Sequence, residues 1–231
     1  MGDQRKVFVK SLKEWASKKG RPFDLSDRCL DRLLKRPCTI CNKRDKTRNH
    51  RNVAMVKYRE GYKDENVFPT CTMCHQIRHG LTPKEMVSLA VHTILNCPLV
   101  DEAFTPKMAQ KYRTLAGKLA HKYKRLCKRS KGYSNYNTYR ASARKRCERL
   151  SGARCASSIF TLSRTEFDEI RRRPCFYCGL PNAMGIDRVY PSIGYIPSNS
   201  VPTDSICNYS KQAMHPATYL HHLASVVLQA A

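Results

Sequence analysis

A cysteine-anchored segment occurs twice in this chain, and this repeat limits the possible folds more than any other feature. The first copy reads Lys35-Arg-Pro-Cys-Thr-Ile-Cys41, and the second reads Arg172-Arg-Pro-Cys-Phe-Tyr-Cys178. A Phe-x-Leu-Ser motif precedes each copy. A gapless block after each copy pairs Val56, Gly61, Tyr62, Asn66, Pro69, Thr70 and Cys74 with Val189, Gly194, Tyr195, Asn199, Pro202, Thr203 and Cys207. This shared order indicates a tandem duplication of one unit.

The length of 231 residues favours two small domains over one. In a unit of roughly a hundred residues a hydrophobic core alone is marginal, and a bound metal adds stability. We expect a first module over residues 1–97, a linker with a basic amphipathic helix over 98–132, and a second module over 133–231. The linker helix should begin at Thr105-Pro106 and extend to about Arg129.

Hydrophobic periodicity and capping residues predict the elements within each module. In the first module they predict helices over 4–19 and 27–35, short strands over 53–58 and 66–68, and helices that begin near Cys71 and at Pro83. In the second module Ser163 and Glu166 form a capping box ahead of a helix. Pro216 begins the last helix of the chain.

Positive charge dominates the composition and indicates a polyanionic partner. Lys and Arg number 43 against 18 Asp and Glu, so the formal net charge is +25. Nucleic acid is the commonest partner of such a chain. No segment is long or apolar enough to predict membrane insertion. Cations without acidic neighbours are candidates for phosphate contacts, although the same pattern suits a solvated surface. These candidates are Lys118, Lys122, Lys124, Arg125, Lys128, Arg129, Arg140, Arg144 and Lys145.

The 12 cysteines favour metal binding in a reducing compartment over a disulfide framework. Residues 1–6 lack the apolar character of a signal segment, and the best-placed cysteines occur as C-x-x-C pairs. We therefore expect an intracellular protein, of a nucleus, a nucleoid or a virus particle, that is not secreted by a signal peptide.

Cys38, Cys41, Cys71 and Cys74 predict a structural zinc site. A C-x-x-C turn lets two thiolates reach one ion, and two such pairs complete a tetrahedron of sulfur ligands. With four protein ligands, no coordination position stays open for a substrate.

The second copy predicts a variant of this site. Its ligands are Cys175, Cys178 and Cys207, and Asp204 stands where the first copy has Cys71. A carboxylate oxygen is an acceptable zinc ligand, so three cysteines and Asp204 form the expected set. Two alternatives stay open: His215 is the fourth ligand, or the second site has lost its metal.

The order of motifs in the second copy resembles the zinc-bearing HNH endonuclease family. The motifs are Tyr136, Tyr139-Arg140, Ala143-Arg144-Lys145, Phe160-Thr-Leu-Ser, Glu166-Phe167, Pro174-Cys-x-x-Cys178-Gly179, Gly185-Ile-Asp-Arg188, Gly194-Tyr195, Asn199, Pro202 and Cys207-Asn208. The resemblance covers about 136–228 and, more weakly, about 8–95. It implies an α+β fold of two zinc-stapled ββα modules, each preceded by basic helices and joined by the long basic helix. It also implies metal-dependent cleavage of DNA, which favours DNA over RNA as the partner.

The catalytic set that the resemblance implies is incomplete in both copies. Strongly catalytic members have Asp-His where this chain has Asp187-Arg188, and arginine cannot act as a general base near neutral pH. The first copy has Ala54-Met55 at this place, and neither residue moves a proton or ligates a cation. If the protein is active, we expect Asp187, Asn199 and Asn208 to hold Mg²⁺.

The sequence therefore favours a non-catalytic nucleic-acid-binding protein with two structural zinc ions. One alternative is a structural component of a large assembly, such as a virion or a nucleoprotein complex, with other proteins as partners. The second alternative is an HNH-type DNA endonuclease that also requires Mg²⁺.

Overall fold

The structure is a computed structural model that describes residues 2–44, 52–124, 135–149, 159–181 and 183–231. It is a mixed α+β protein, and its described strands form three sheets of two strands each. This confirms the predicted α+β class. The chain divides into two compact units, Met1–Val87 and Ser88–Ala231, which we call the first and second units. The module limits at residues 97 and 133 concern the sequence repeat and stay a prediction.

Two helices and two small sheets form the core of the first unit. Its elements are α1 Gly2–Lys18, β1 Phe23–Asp24, α2 Asp27–Lys35, β2 Val53–Met55, β3 Tyr62–Lys63, β4 Val67–Pro69, α3 Thr72–Arg78 and the start of α4, Pro83–Asn96. Phe8, Leu12 and Ala16 recur every four residues along α1, so they share one helix face. This face is buried against α2 and Tyr62.

The hairpin of the first unit is shorter than predicted because a turn interrupts it. β2 pairs antiparallel with β4, with Ala54 opposite Phe68. The predicted strand over 53–58 is wrong beyond Met55, since a 3₁₀ turn occupies Tyr58–Glu60. The buried side chain of Asn66 accepts from Lys57 N–H and donates to the carbonyls of Lys57 and Gly61 at 2.7–2.9 Å. These bonds hold the turn closed.

The second unit repeats this hairpin and adds helices around it. Its elements after α4 are α5 Val100–Ala103, α6 Pro106–Ala120, α7 Tyr136–Arg149, α8 Arg164–Arg172, β5 Gly185–Arg188, β6 Ser200–Thr203, α9 Ser205–Lys211 and α10 Pro216–Ala230. β5 pairs antiparallel with β6, and α10 packs against α5 and α6. The predicted capping box of α8 is confirmed, with both bonds between Ser163 and Glu166 present. None of the helices in the described ranges could cross a membrane.

The linker helix ends earlier than its hydrophobic pattern predicts. α6 stops at Ala120, so the predicted helix is wrong over residues 121–124, and its remainder to about Arg129 lies outside the described residues. The reason lies in α4, where His92 Nε2 is 2.8 Å from the carbonyl oxygen of Tyr123 and Ser88 Oγ donates to that of Lys124 at 2.5 Å. The carbonyls of Tyr123 and Lys124 therefore bond to side chains of α4, and the chain forms a turn after α6 where a further helical turn was predicted.

Candidate metal centres

Cys38 and Cys41 lie on a tight turn that follows α2. Asn42 N–H donates to Cys38 O at 2.8 Å, and Asn42 has a positive φ of 56°. Asn tolerates this left-handed conformation better than most residues. Thr39 N–H donates to Pro69 O at 3.0 Å, which fixes the turn against the end of β4. Both sulfurs are thereby held beside the start of α3.

Cys71 and Cys74 complete this first cluster from α3. Cys71 is the N-cap residue, and its sulfur accepts Cys74 N–H at 3.3 Å. All four cysteines are buried, and their sulfur atoms lie within 4.8 Å of one another. The Sγ atoms of Cys41 and Cys71 are 3.7 Å apart. Zn–S bonds of about 2.3 Å give a tetrahedron with S–S edges of about 3.8 Å, so this spacing is compatible with zinc.

The crowding of the four thiols separates their pKa values. Hydrogen bonds from Cys41, then Cys71 and Cys74, lower the pKa of Cys38. The same cluster raises the pKa of Cys74, with Cys38 as the largest cause. One thiolate, that of Cys38, is therefore stabilised by the neighbouring S–H donors. Deprotonating a second buried thiol is unfavourable, because the two negative charges would repel each other. A divalent cation removes this repulsion, because thiolates bind metal as deprotonated ligands.

A matching turn carries Cys175 and Cys178 in the second unit. Gly179 N–H donates to Cys175 O at 2.8 Å, and Gly179 has a positive φ of 68° at the position that matches Asn42. Phe176 N–H donates to Pro202 O of β6 at 2.9 Å, just as Thr39 N–H donates to Pro69 O of β4 in the first unit. The two copies therefore place their first ligand pair by the same backbone contacts.

Asp204 takes the place of Cys71 and uses its two carboxylate oxygens separately. As N-cap of α9, its Oδ1 accepts from Ile206 N–H at 2.8 Å and from Cys207 N–H at 3.0 Å. Its Oδ2 accepts from Cys178 Sγ at 3.0 Å. One oxygen caps the helix and the other faces the cluster, so a single residue serves both purposes that Cys71 serves in the first unit.

The donor set of the second cluster is Cys175, Cys178, Asp204 and Cys207, all buried, with ligand atoms within 4.8 Å of one another. Burial and the Cys175 thiolate raise the pKa of Asp204. Bonds from Cys178 and Cys207 lower the pKa of Cys175 to about 2. His215 is not in this cluster: it is exposed, and its Nδ1 accepts Ala217 N–H at 3.3 Å as the N-cap of α10. Both clusters are compatible with zinc.

The sequence did not reveal a buried ionic group beside the second cluster. Lys211 is fully buried, and its Nζ lies 3.0 Å from Asp187 Oδ2 and donates to Arg188 O at 2.8 Å. Tyr177 OH donates to the same carboxylate oxygen at 2.7 Å. Burial lowers the pKa of Lys211, and the negative charge of Asp187 opposes that shift. We call Tyr177, Asp187 and Lys211 the buried triad.

In the first unit the three positions that match the buried triad hold two apolar residues and one arginine. Ile40 and Ala54 match Tyr177 and Asp187, and Arg78 matches Lys211. Arg78 is buried, donates to Met55 O at 2.9 Å and also donates to the carbonyl of Leu81. A basic side chain from the helix after the hairpin thus bonds the end of the first strand in both units. Its position four residues after Cys74 and Cys207 was the available sequence signal.

The other residues of the predicted catalytic set have structural contacts. Asn199 repeats the turn contacts of Asn66, since it accepts from Tyr190 N–H and donates to the carbonyls of Tyr190 and Gly194 at 2.7–3.0 Å. Arg188, which is outside this set and stands where catalytic members have His, donates to Pro191 O at 2.9 Å. Asn208 is half-buried on α9, and its backbone N–H donates to Asp204 O.

The predicted phosphate-contacting residues lie on exposed surfaces where the structure describes them. Lys118 is on α6, Lys122 and Lys124 follow it, and Arg140, Arg144 and Lys145 are on α7; all six are exposed. Arg125, Lys128 and Arg129 lie outside the described residues.

Comparison with known proteins gives one informative match. The chain matches no protein family model, and it matches no solved structure. It is similar to "Uncharacterized protein R423" of Acanthamoeba polyphaga mimivirus, with 25% identity over 205 residues. This match covers 87% of the chain and 33% of that viral protein, so the chain spans about a third of the length of its relative.

Proposed function

We propose that this chain is a zinc-stabilised, non-catalytic nucleic-acid-binding protein with two HNH-like modules. The observation that carries this proposal is the exposed positive charge of α6 and α7. No acidic residue occurs within Pro106–Ala120, and Lys107, Lys111 and Lys118 are all exposed there. Helix surfaces of this kind suit the phosphate backbone, which supplies affinity without sequence specificity.

The order of elements supports the HNH-like part of the proposal. In each unit a cysteine turn precedes an antiparallel hairpin, and a helix that carries a further ligand pair follows it. The elements are β2, β4 and α3 in the first unit and β5, β6 and α9 in the second. This order is compatible with the ββα arrangement that the sequence resemblance implies, and it supports the proposal of HNH-like modules.

The buried triad supports the non-catalytic part. A hydrolytic centre around Asp187 requires a divalent cation that offsets phosphate charge and activates water. The ammonium of Lys211 instead neutralises this carboxylate within the protein. In the first unit Ala54 offers no carboxylate at the matching position. DNA is the favoured nucleic acid, because the HNH resemblance concerns DNA.

A role within a virus particle or a viral nucleoprotein complex is the second candidate. The similarity to a longer mimivirus protein favours it. The two candidates are compatible, because a basic protein of a viral assembly can also bind nucleic acid.

Zinc content tests the metal part of the proposal. We expect two zinc ions per chain by elemental analysis of protein purified without chelators, one for each cluster. Cys38→Ser and Cys175→Ser should each lower the content to about one, because each removes one ligand of one cluster. Cys29→Ser, which changes a buried cysteine outside both clusters, is the control and should keep both ions. Fewer than one zinc per unaltered chain would contradict the metal assignment.

Binding to duplex DNA at several salt concentrations tests the nucleic-acid part. With about five phosphate contacts, the slope of log affinity against log salt should be about −4.5. A slope near zero would refute the proposal. Supercoiled plasmid with Mg²⁺ or Mn²⁺ should stay intact. Nicking that Asp187→Ala abolishes would instead establish the nuclease.

A further inference from the structure

A groove beside α7 in the second unit is lined by two arginines and has the ring of Phe160 as its floor. Asn137, Arg140, Ala141, Arg144 and Phe160 line it. Arg140 and Arg144 are both exposed and lie one helical turn apart. Their guanidinium groups are therefore on the same side of the helix and can reach neighbouring points along one polyanionic strand.

The floor of this groove is fixed in place by contacts beneath it. The half-buried ring of Phe160 packs against the rings of Tyr136 and Tyr195, with centroids 5.4 and 5.7 Å away. Tyr136 OH also donates to Leu162 O at 3.0 Å, which ties the first turn of α7 to the segment after Phe160. Both arginines thus extend from a supported helix, so fewer degrees of freedom are lost on binding.

The first unit has a corresponding groove with the opposite charge. Lys13 follows the buried Leu12 as Arg140 follows Tyr139, and its Nζ lies 5.6 Å from the ring centre of Phe23. Four acidic residues line the same groove: Asp24, Asp27, Asp64 and Glu65. Such a surface repels phosphate at physiological salt within about 8 Å.

The second copy has lost every one of these acidic groups. In the alignment of the two copies, Asp24, Asp27, Asp64 and Glu65 correspond to Thr161, Arg164, Pro197 and Ser198. The surrounding fold is the same in both units, since the Phe23–Tyr62 pairing recurs as Phe160–Tyr195. The two grooves therefore share the aromatic pair beneath them, whereas the four acidic groups occur only in the first unit.

We infer that the α7 groove seats the phosphate backbone of nucleic acid, whereas the equivalent groove of the first unit does not bind it. Arg140 and Arg144 bind neighbouring phosphates, and the ring of Phe160 forms the floor of the groove beside the two arginines. The inference rests on the proposed function and assigns the binding to one groove of the second unit. Phosphate contacts carry no sequence information, so duplex DNA of any sequence is a suitable probe.

The test compares two double variants with the same change in charge. Arg140→Gln/Arg144→Gln removes the groove cations, and Lys6→Gln/Lys10→Gln removes two exposed cations with the same spacing on α1. Binding to a labelled duplex is measured by fluorescence anisotropy across a salt series. For the groove variant we expect a salt slope smaller by about 2 and an affinity at least about tenfold weaker. The α1 variant should keep the slope of the unaltered protein.

Single variants test the asymmetry between the grooves. Arg140→Gln should reduce the slope by about 1, and Lys13→Gln should leave it unchanged. Zinc content and circular dichroism of each variant confirm that the fold is intact.

The possible failures are distinguishable. A flat slope for the unaltered protein would refute the proposed function itself. A steep slope that both double variants reduce equally would overturn the groove assignment alone. An equal loss in Lys13→Gln and Arg140→Gln would overturn the asymmetry.

Discussion

Replacing Lys211 with methionine should destabilise the second unit, because it leaves a buried carboxylate without its cation. Lys211 is fully buried and Asp187 is 5% exposed, so solvent cannot take over the lost interaction. Methionine keeps most of the length and the apolar stem of lysine. The variant therefore removes the ammonium and its two contacts, at 3.0 Å to Asp187 Oδ2 and 2.8 Å to Arg188 O, while it leaves little empty space.

The expected loss in the free energy of unfolding is about 3 kcal/mol. Breaking a buried ion pair by removal of one partner costs about 3–5 kcal/mol. The lower end applies because Tyr177 OH still donates to Asp187 at 2.7 Å. Asp187→Asn should cost a similar amount, since it leaves the ammonium unpaired. The double variant should lose less than the two single losses together, by about 1–3 kcal/mol, because it buries no unpaired charge.

Urea unfolding of the zinc-loaded protein measures these values. Circular dichroism follows both units, and the fluorescence of Trp15, the one tryptophan of the chain, follows the first unit. Lys35→Met, at an exposed position, is the control and should change the stability by less than about 0.5 kcal/mol. A loss below about 1 kcal/mol for Lys211→Met, together with additive single effects, would refute the assignment of a stabilising buried pair.

Three further predictions concern the ligands and the capping residues. Asp204→Cys should keep two zinc ions per chain, because cysteine fills the matching position in the first cluster, whereas Asp204→Ala should lower the zinc content measured by elemental analysis. Asn199→Ala should destabilise the protein to urea by about 1–3 kcal/mol, since the turn loses three hydrogen bonds; an unchanged midpoint would contradict this. Hydrogen bonds from the backbone and hydroxyl of Ser163 lower the pKa of Glu166, so its stabilisation is present above the unfolded pKa of about 4.3 and is lost as pH falls through the lower folded pKa. The difference in melting temperature between the unaltered protein and Glu166→Gln should therefore shrink below pH 4, and a constant difference would refute the linkage.

The sequence predicted the features that depend on short-range chemistry. The C-x-x-C spacing determines which sulfurs can meet, so both clusters were expected with their ligands, including Asp204. The capping box of α8 was equally predictable, because Ser163 and Glu166 interact across three residues. The order of hairpin and helix followed from the motifs.

Features that depend on contacts between distant segments escaped prediction. The hydrophobic spacing of α6 continues past Ala120, but Ser88 and His92 of α4 bind the carbonyls that follow it. Nothing in the local sequence of α9 marks Lys211 as buried, because its neighbours on the helix include polar residues. Its pairing with Asp187 requires β5 and α9 to be placed together, which no local pattern specifies.

Each unit places a basic side chain at the end of the first strand of its hairpin, Arg78 in the first unit and Lys211 in the second, but the surrounding residues differ. In the first unit the neighbours are apolar, Ile40 and Ala54, and the guanidinium of Arg78 is satisfied by backbone carbonyls. In the second unit a carboxylate is retained, and an ammonium and a phenol neutralise it. The two terminal nitrogens of Arg78 each donate to one carbonyl, whereas the ammonium of Lys211 contacts one carboxylate and one carbonyl. Each basic residue therefore fits only the neighbours in its own unit. Exchanging Arg78 or Lys211 alone for the other residue would leave buried polar groups without hydrogen-bond partners.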